Sequence, residues 1–97
     1  ALQIDPDFVE AYNSLGVALA DQGETREAIE LYKKALQIDP DFTKAHINLG
    51  AAFNEIGKTD EAIELYKKAL QIKPNSAKAH NNLGVALAKI GKTNEAI

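Results

Sequence analysis

The eight residues Ala-Leu-Gln-Ile-Asp-Pro-Asp-Phe stand at positions 1–8 and again at 35–42, and a near copy, Ala-Leu-Gln-Ile-Lys-Pro-Asn-Ser, follows at 69–76. A fixed period of 34 residues constrains the fold more than any other property of this chain. Each unit has to be one supersecondary element. A unit of this size cannot enclose a core alone, so its apolar face must be buried against the next unit. Residues 1–34 match residues 35–68 at 22 of 34 positions, and all twelve differences lie between Val9 and Arg26. Residues 35–63 match residues 69–97 at 19 of 29. Every unit therefore has a constant half and a varied half.

Both halves read as helices. In the varied half, Ala45, Leu49, Ala52, Phe53 and Ile56 recur at the spacing of one helix face. Asp41 or Asn75 is placed to cap such a helix, and Gly57 to end it, as Gly23 and Gly91 do in the other units. In the constant half, Thr59 is expected to cap a second helix, with Asp60 and Glu61 in the first turn where the helix dipole favours acids. Its stripe is Ala62, Ile63, Tyr66, Ala69 and Leu70. Glu30–Lys34 and Glu64–Lys68 are spaced for ion pairs one turn apart. Pro74 stops this helix, since proline has no N–H and disfavours a helical residue before it. Helices joined by turns this short run antiparallel. The expected architecture is an all-α solenoid of stacked antiparallel helix pairs.

Composition narrows the function classes. The chain of 97 residues is 45% hydrophobic and 26% charged, with net charge -3, and has no cysteine. This excludes disulfides and thiolate metal sites, and gives no general attraction to nucleic acid or anionic membrane. No run of 18 apolar residues is present to span a membrane. The N-terminus lacks a basic stretch followed by an apolar one, so the default expectation is a cytoplasmic protein or a piece of one. Charge is uneven: residues 1–48 hold nine acids and four bases, residues 49–97 five acids and seven bases.

The chain resembles the tetratricopeptide repeat (TPR) family over its whole length. One unit carries Tyr12, Leu15, Gly16, Leu19, Ala28, Tyr32, Ala35 and Pro40 at the family's positions. The next carries His46, Leu49, Gly50, Phe53, Ala62, Tyr66, Ala69 and Pro74, and the last His80, Leu83, Gly84, Leu87 and Ala96. The units register as the end of a preceding repeat (1–8), two repeats (9–42 and 43–76) and a partial repeat (77–97). The resemblance implies a right-handed superhelix, with Gly16, Gly50, Gly84, Ala28, Ala62 and Ala96 at close helix contacts and Leu15, Leu49 and Leu83 in a continuous core. His46 and His80 replace a larger aromatic or Leu and are expected to pack less well.

The resemblance also implies a concave groove lined by the first helix of each pair, binding an extended peptide or partner segment. The varied residues that fall there are Glu10, Asn13, Ser14, Val17, Ala20 and Asp21 in the first unit. Lys44, Ile47, Asn48, Ala51, Asn54 and Glu55 follow in the second, and Lys78, Asn81, Asn82, Val85, Ala88 and Lys89 in the third. Positions that change while the scaffold repeats are free to read a ligand. Asn48 and Asn82 stand one period apart, with Asn81 adjacent and Ser14 at the equivalent place. A ladder of amides can hold a peptide main chain by donating and accepting at once. The run Asn81-Asn82-Leu83-Gly84 is similar to repeats of O-linked N-acetylglucosamine transferases, which carry such a ladder. A second groove chemistry of the family grips a C-terminal carboxylate with Lys, Asn and Arg side chains. Lys78 and Asn48 fit it, but Asn13, Val17 and Asn82 stand where Lys, Asn and a basic residue belong.

No enzymatic arrangement emerges. His46 and His80 share the repeat's spacing rather than that of a metal site, Ser14 and Ser76 lack a base at fixed offset, and no phosphate loop follows a strand. No catalytic residue, metal or cofactor is expected. Lys44, Lys58, Lys78, Lys89 and Lys92 form no basic stripe with interleaved aromatics, so nucleic acid is not expected either. Residues 1–4 read as the last turn of a second helix and residues 93–97 as the first turn of another, with Ala86, Leu87, Ile90 and Ile97 uncovered at one end and Leu2, Ile4 and Phe8 at the other. Two alternatives to peptide binding therefore stay open. One is head-to-tail self-assembly or helix exchange through the ends. The other is a designed or idealised repeat without a native ligand.

Overall fold

A computed structural model describes residues 6–95, with side chains over residues 8–91. Five helices follow in order: α1 (Pro6–Asp21), α2 (Thr25–Ile38), α3 (Thr43–Glu55), α4 (Thr59–Ile72) and α5 (Ala77–Glu95). There is no strand among the described residues. α1 packs on α2 and α3 on α4 as antiparallel pairs; α2 also packs on α3, and α4 on α5. The first helices touch one another along the stack. The result is elongated, 51 × 30 × 20 Å, as an all-α repeat solenoid should be. None of the helices is long and apolar enough to cross a membrane among the described residues.

The expected stripes form the core. Val9, Ala35 and Ala45 are buried at one end, with Tyr12, Leu36 and Phe42 beside them. Leu36 continues into a second cluster of Ala28, Ile29, Tyr32, Leu49 and Ala52. Phe53 then bridges to a third, built from Ile47, Ala62, Ile63, Tyr66, Ala69, Ala79 and Ala86. The shared side chains make the three clusters one core. Burial, rather than local helix propensity, is what holds each pair to the next.

The turn inside each pair is a Schellman motif. Gly23 and Gly57 take φ of 85° and 89°, a conformation glycine adopts without steric cost. Glu24 N–H donates to Leu19 O at 2.8 Å and Gly23 N–H to Ala20 O at 3.0 Å; Lys58 and Gly57 repeat this on Phe53 and Asn54 at 2.8 and 3.1 Å. Gly91 does not follow. α5 runs through it to Glu95, so the third unit's first helix is not terminated where its glycine predicts. A glycine inside a helix costs only about 1 kcal/mol, so its presence alone does not end one.

The caps differ from expectation in detail. Phe42, not Asp41, occupies the α3 cap position, and no side chain caps it; Asp41 N–H instead closes a turn on Asp39 Oδ1 at 3.1 Å. At α5 the cap is Ser76, whose Oγ accepts from Ala79 N–H at 3.2 Å, rather than Asn75. Lys58 precedes α4, and Thr59 is its first helical residue, donating its hydroxyl to Asn54 Oδ1 at 2.8 Å. Glu30 pairs with Lys33 at 3.9 Å rather than Lys34, whose ammonium lies 5.9 Å over the Tyr12 ring. His46 is not a weak packing substitute. Its ring is buried and its Nε2 bonds the Pro40 carbonyl at 2.7 Å, tying α3 to the turn before it; His80 repeats the bond on Pro74 at 2.8 Å.

The ends of the stack also need correcting. Leu15 is 52% exposed, because the surface that Leu49 buries against α2 has no counterpart facing α1 among the described residues. Ala86 is fully buried against the third cluster, while Leu87 and Phe8 are exposed as expected. Leu2, Ile4 and Ile97, and Ala96 with its close contact, lie outside the described residues.

The close approach inside each pair is a glycine under a tyrosine ring. A Cβ built on Gly50 would meet Tyr66 Cε1 at 2.6 Å, and one on Gly16 would meet Tyr32 Cε1 at 2.5 Å. Both rings are 2% exposed, so neither can swing away. Gly84 meets nothing, contrary to its expected role. Gly50→Ala should therefore destabilise by about 1–3 kcal/mol through overpacking. Gly84→Ala should stabilise by about 0.5–1 kcal/mol, since it removes backbone entropy from an exposed helix interior. Thermal unfolding monitored by circular dichroism checks both: the midpoint should fall for the first and rise for the second. Equal shifts would show that the tyrosine contact does not set the pair geometry.

Candidate functional site

The varied faces of α1, α3 and α5 form a groove containing a cleft that repeats. The first cleft, of about 260 Å³, is lined by Val17, Ala20 and Asp21 from α1, Asn48, Ala51, Ala52 and Glu55 from α3, Tyr32 from α2 and Lys78 from α5. The second, of about 170 Å³, is lined by Ala51 and Asn54 from α3, Tyr66 from α4, and Asn82 and Val85 from α5. The two linings coincide when shifted by one period: Val17 with Ala51, Ala20 with Asn54, Tyr32 with Tyr66, Asn48 with Asn82, Ala51 with Val85. Each cleft thus lies between successive first helices, on a floor provided by the tyrosine of a second helix.

The tyrosines are the part that sequence reasoning assigned only to the core. Their rings pack on glycine, but their polar ends reach the groove because that glycine has no side chain to cover them. A tyrosine is an apolar body with a polar tip, and its recurrence at positions 32 and 66, one period apart, is the signal that would have found it. Burial raises the pKa of both phenols. For Tyr32 the nearby carboxylates of Asp21 and Glu55 raise it further.

Of the residues expected on the groove, two are buried. Ile47 is 5% exposed inside the third core cluster, so it presents no surface to a ligand. Asn13 is also 5% exposed, and its Oδ1 accepts from Asn48 Nδ2 at 3.0 Å. The two asparagines cross-link α1 to α3, and Asn48 keeps Oδ1 as an acceptor facing the cleft. Ile47 stands at the place equivalent to Asn13, so Asn82 has no such partner and keeps both donor and acceptor. Glu10 and Lys44 form an ion pair at 3.5 Å between successive units. Such an exposed pair contributes at most about 1 kcal/mol. Ser14 and Asn81 are exposed on the same faces.

Charged groups mark the upper rim. Glu55 Oε2 accepts from Thr25 Oγ1 at 3.1 Å, which holds the carboxylate over the first cleft. Lys89, the equivalent residue one unit on, donates to Asn54 O and Oδ1 at 3.3 and 3.4 Å. No group of three or more metal-ligating side chains occurs among the described residues.

Comparison with known proteins agrees with this geometry. Residues 18–57 and 51–91 match a family model described as TPR repeat, and residues 1–30 match one described as tetratricopeptide repeat. Among solved structures, the second TPR of Spaghetti (RPAP3), bound to the HSP90 peptide SRMEEVD, superposes with a TM-score of 0.83 at 26% identity, covering 92% of this chain and 82% of that one. A MamA structure superposes with a TM-score of 0.83 at 33% identity over 95% of this chain, and a second with 0.81 at 33% over 91%. The chain spans about half the length of those MamA chains, 54% and 48%. A search of curated protein sequences found no match. The 34-residue period, the paired helices closed over a glycine and these matches have one common source: the chain belongs to the tetratricopeptide repeat family, whose fold is a protein–protein interaction scaffold.

Proposed function

We propose that the groove of α1, α3 and α5 binds an extended peptide or an extended segment of a partner protein. The observation that supports this is the repeated cleft, because a ligand read at regular intervals is one with a regular backbone. An extended chain turns alternate side chains to the same side, so successive clefts suit successive side chains of that set. The carbonyl of Asn48 and the whole amide of Asn82 are placed beside the clefts to hold the main chain between them. Among the described residues nothing in the groove pairs an activated nucleophile with a base, and we read the chain as a binding module without catalysis.

The terminal-carboxylate mode finds less support. Asn13, neutral and buried, occupies one of the places where that mode requires a cation. Lys78 and Asn48 remain without the additional cations needed to desolvate a carboxylate favourably.

A self-assembling role is the second reading, favoured by what the stack leaves open. Ala11, Leu15 and Ala18 of α1 stand where Ala45, Leu49 and Ala52 of α3 press on α2, and Leu15 is half exposed. At the other end Leu87 is 50% exposed beside the open Gly84.

Two measurements test these readings. Heptapeptides selected from a random display library should lose at least tenfold in affinity, about 1.4 kcal/mol, for an Asn48→Ala/Asn82→Ala variant and for Ala51→Trp, which fills both clefts. Selected peptides that bind these variants unchanged would remove the groove from the account. For assembly, sedimentation velocity should show a concentration-dependent rise in mass that Leu15→Lys and Leu87→Lys each abolish. A strict monomer at high concentration ends that reading.

A further inference from the structure

Resting on the groove reading, we infer that the first cleft is a subsite for a basic side chain, arginine or lysine, of the bound peptide. Two carboxylates stand at the unfavourable end of their helices. Asp21 is the last residue of α1 and Glu55 the last of α3, and neither helix has a basic residue in its last turn. A helix C-terminus carries partial negative charge, so each carboxylate adds to potential of its own sign. The two acids line one cleft and both act on the same phenol, that of Tyr32, whose pKa burial and these carboxylates raise. Tyr32 is 2% exposed, lines the cleft, and makes no hydrogen bond among the described residues. Lys78 also lines the cleft, which therefore holds two carboxylates against one ammonium.

The next cleft shows what satisfies such a position. There the place of Glu55 is taken by Lys89, whose ammonium reaches back to the carbonyl of Asn54 and to its side chain at the end of α3. The protein thus sets its own cation on Asn54, a residue that lines the second cleft. In the first gap it supplies a carboxylate at that place, and a second one, Asp21, facing it. The apolar walls, Val17, Ala20 and Ala51, suit the methylene stem of Lys or Arg, with the charged end at the rim. A guanidinium can bridge two carboxylates and lie against the phenol, which makes Arg the better occupant. The acidic peptide bound by the second TPR of Spaghetti has the opposite charge pattern for this cleft, so the solved neighbour and this chain are expected to differ in ligand class.

The test is peptide display with a random heptapeptide library, on the wild-type chain and on an Asp21→Asn/Glu55→Gln variant. Both substitutions are at exposed positions and leave the helices intact, which circular dichroism would verify. Peptides enriched on the wild type should share one Arg or Lys, and the variant should lose that preference while keeping the rest of the pattern. In an enriched peptide, Arg→citrulline should weaken binding to the wild type at least tenfold and binding to the variant less than twofold. The wild-type affinity should also fall with added salt, since the rim is exposed. Enriched peptides without a basic position, or a citrulline effect equal on both proteins, overturn the subsite and leave the groove reading standing. Enrichment that Ala51→Trp does not abolish overturns the groove reading, and the subsite with it.

Discussion

The contact on which the rest of this structure depends is an aromatic ring lying where a side chain is missing. Tyr32 on Gly16 and Tyr66 on Gly50 fix how closely the two helices of a pair approach, because the ring meets the glycine backbone at van der Waals distance. Ala28 and Ala62, both fully buried, are the small residues that this separation requires. It sets the angle at which Ala45, Leu49 and Ala52 reach the preceding pair. The same contact leaves the phenol ends at the bottom of the groove. Packing geometry and site geometry are therefore one feature, and the floor cannot be altered without altering the pair.

What repeats in the chain was legible, and what depends on a particular neighbour was not. Period, helix identity, the Gly23 and Gly57 turns and the buried stripes follow from spacing alone, because each unit meets the same surroundings. The departures cluster where surroundings change. Gly84 has the place of Gly50 but no tyrosine beside it among the described residues, and α5 runs through Gly91 where α3 stops before Gly57. Leu15 has the sequence environment of Leu49 but, among the described residues, no helix that buries it. Ile47 was assigned to the groove by its register in the family, and register does not show the neighbours that bury it in the third core cluster. Asn13 is buried too, and its Oδ1 accepts from Asn48 Nδ2. One site thus accepts a buried apolar residue in one unit and a bonded polar one in another.

Cap chemistry follows the same division. Aspartate and threonine near a helix start are the expected capping residues, yet Asp41 turns on Asp39, and Thr59 reaches across the turn to Asn54. The Thr59 bond joins the beginning of α4 to the end of α3, so it stabilises the intra-pair turn rather than one helix. His46 acts likewise on the turn between pairs, from the other side of the stack. Neither role is visible from local helix rules, because each bond joins elements whose relation is set by the core.

The constant and varied halves can now be given a physical division of labour. The second helix repeats because both of its faces are committed, one to the glycine of its own pair and the other to the next first helix. The first helix commits only part of its surface and can change the rest at little cost in stability, since exposed substitutions seldom matter to it. Its last turn is where that freedom meets a fixed field. The C-termini of α1 and α3 carry negative potential. Asp21 and Glu55, the last residues of those helices, deepen it, while Lys89, from within α5, reaches back to the end of α3 and offsets it there. A varied position on one first helix can therefore act on the fixed backbone field at the end of the helix before it.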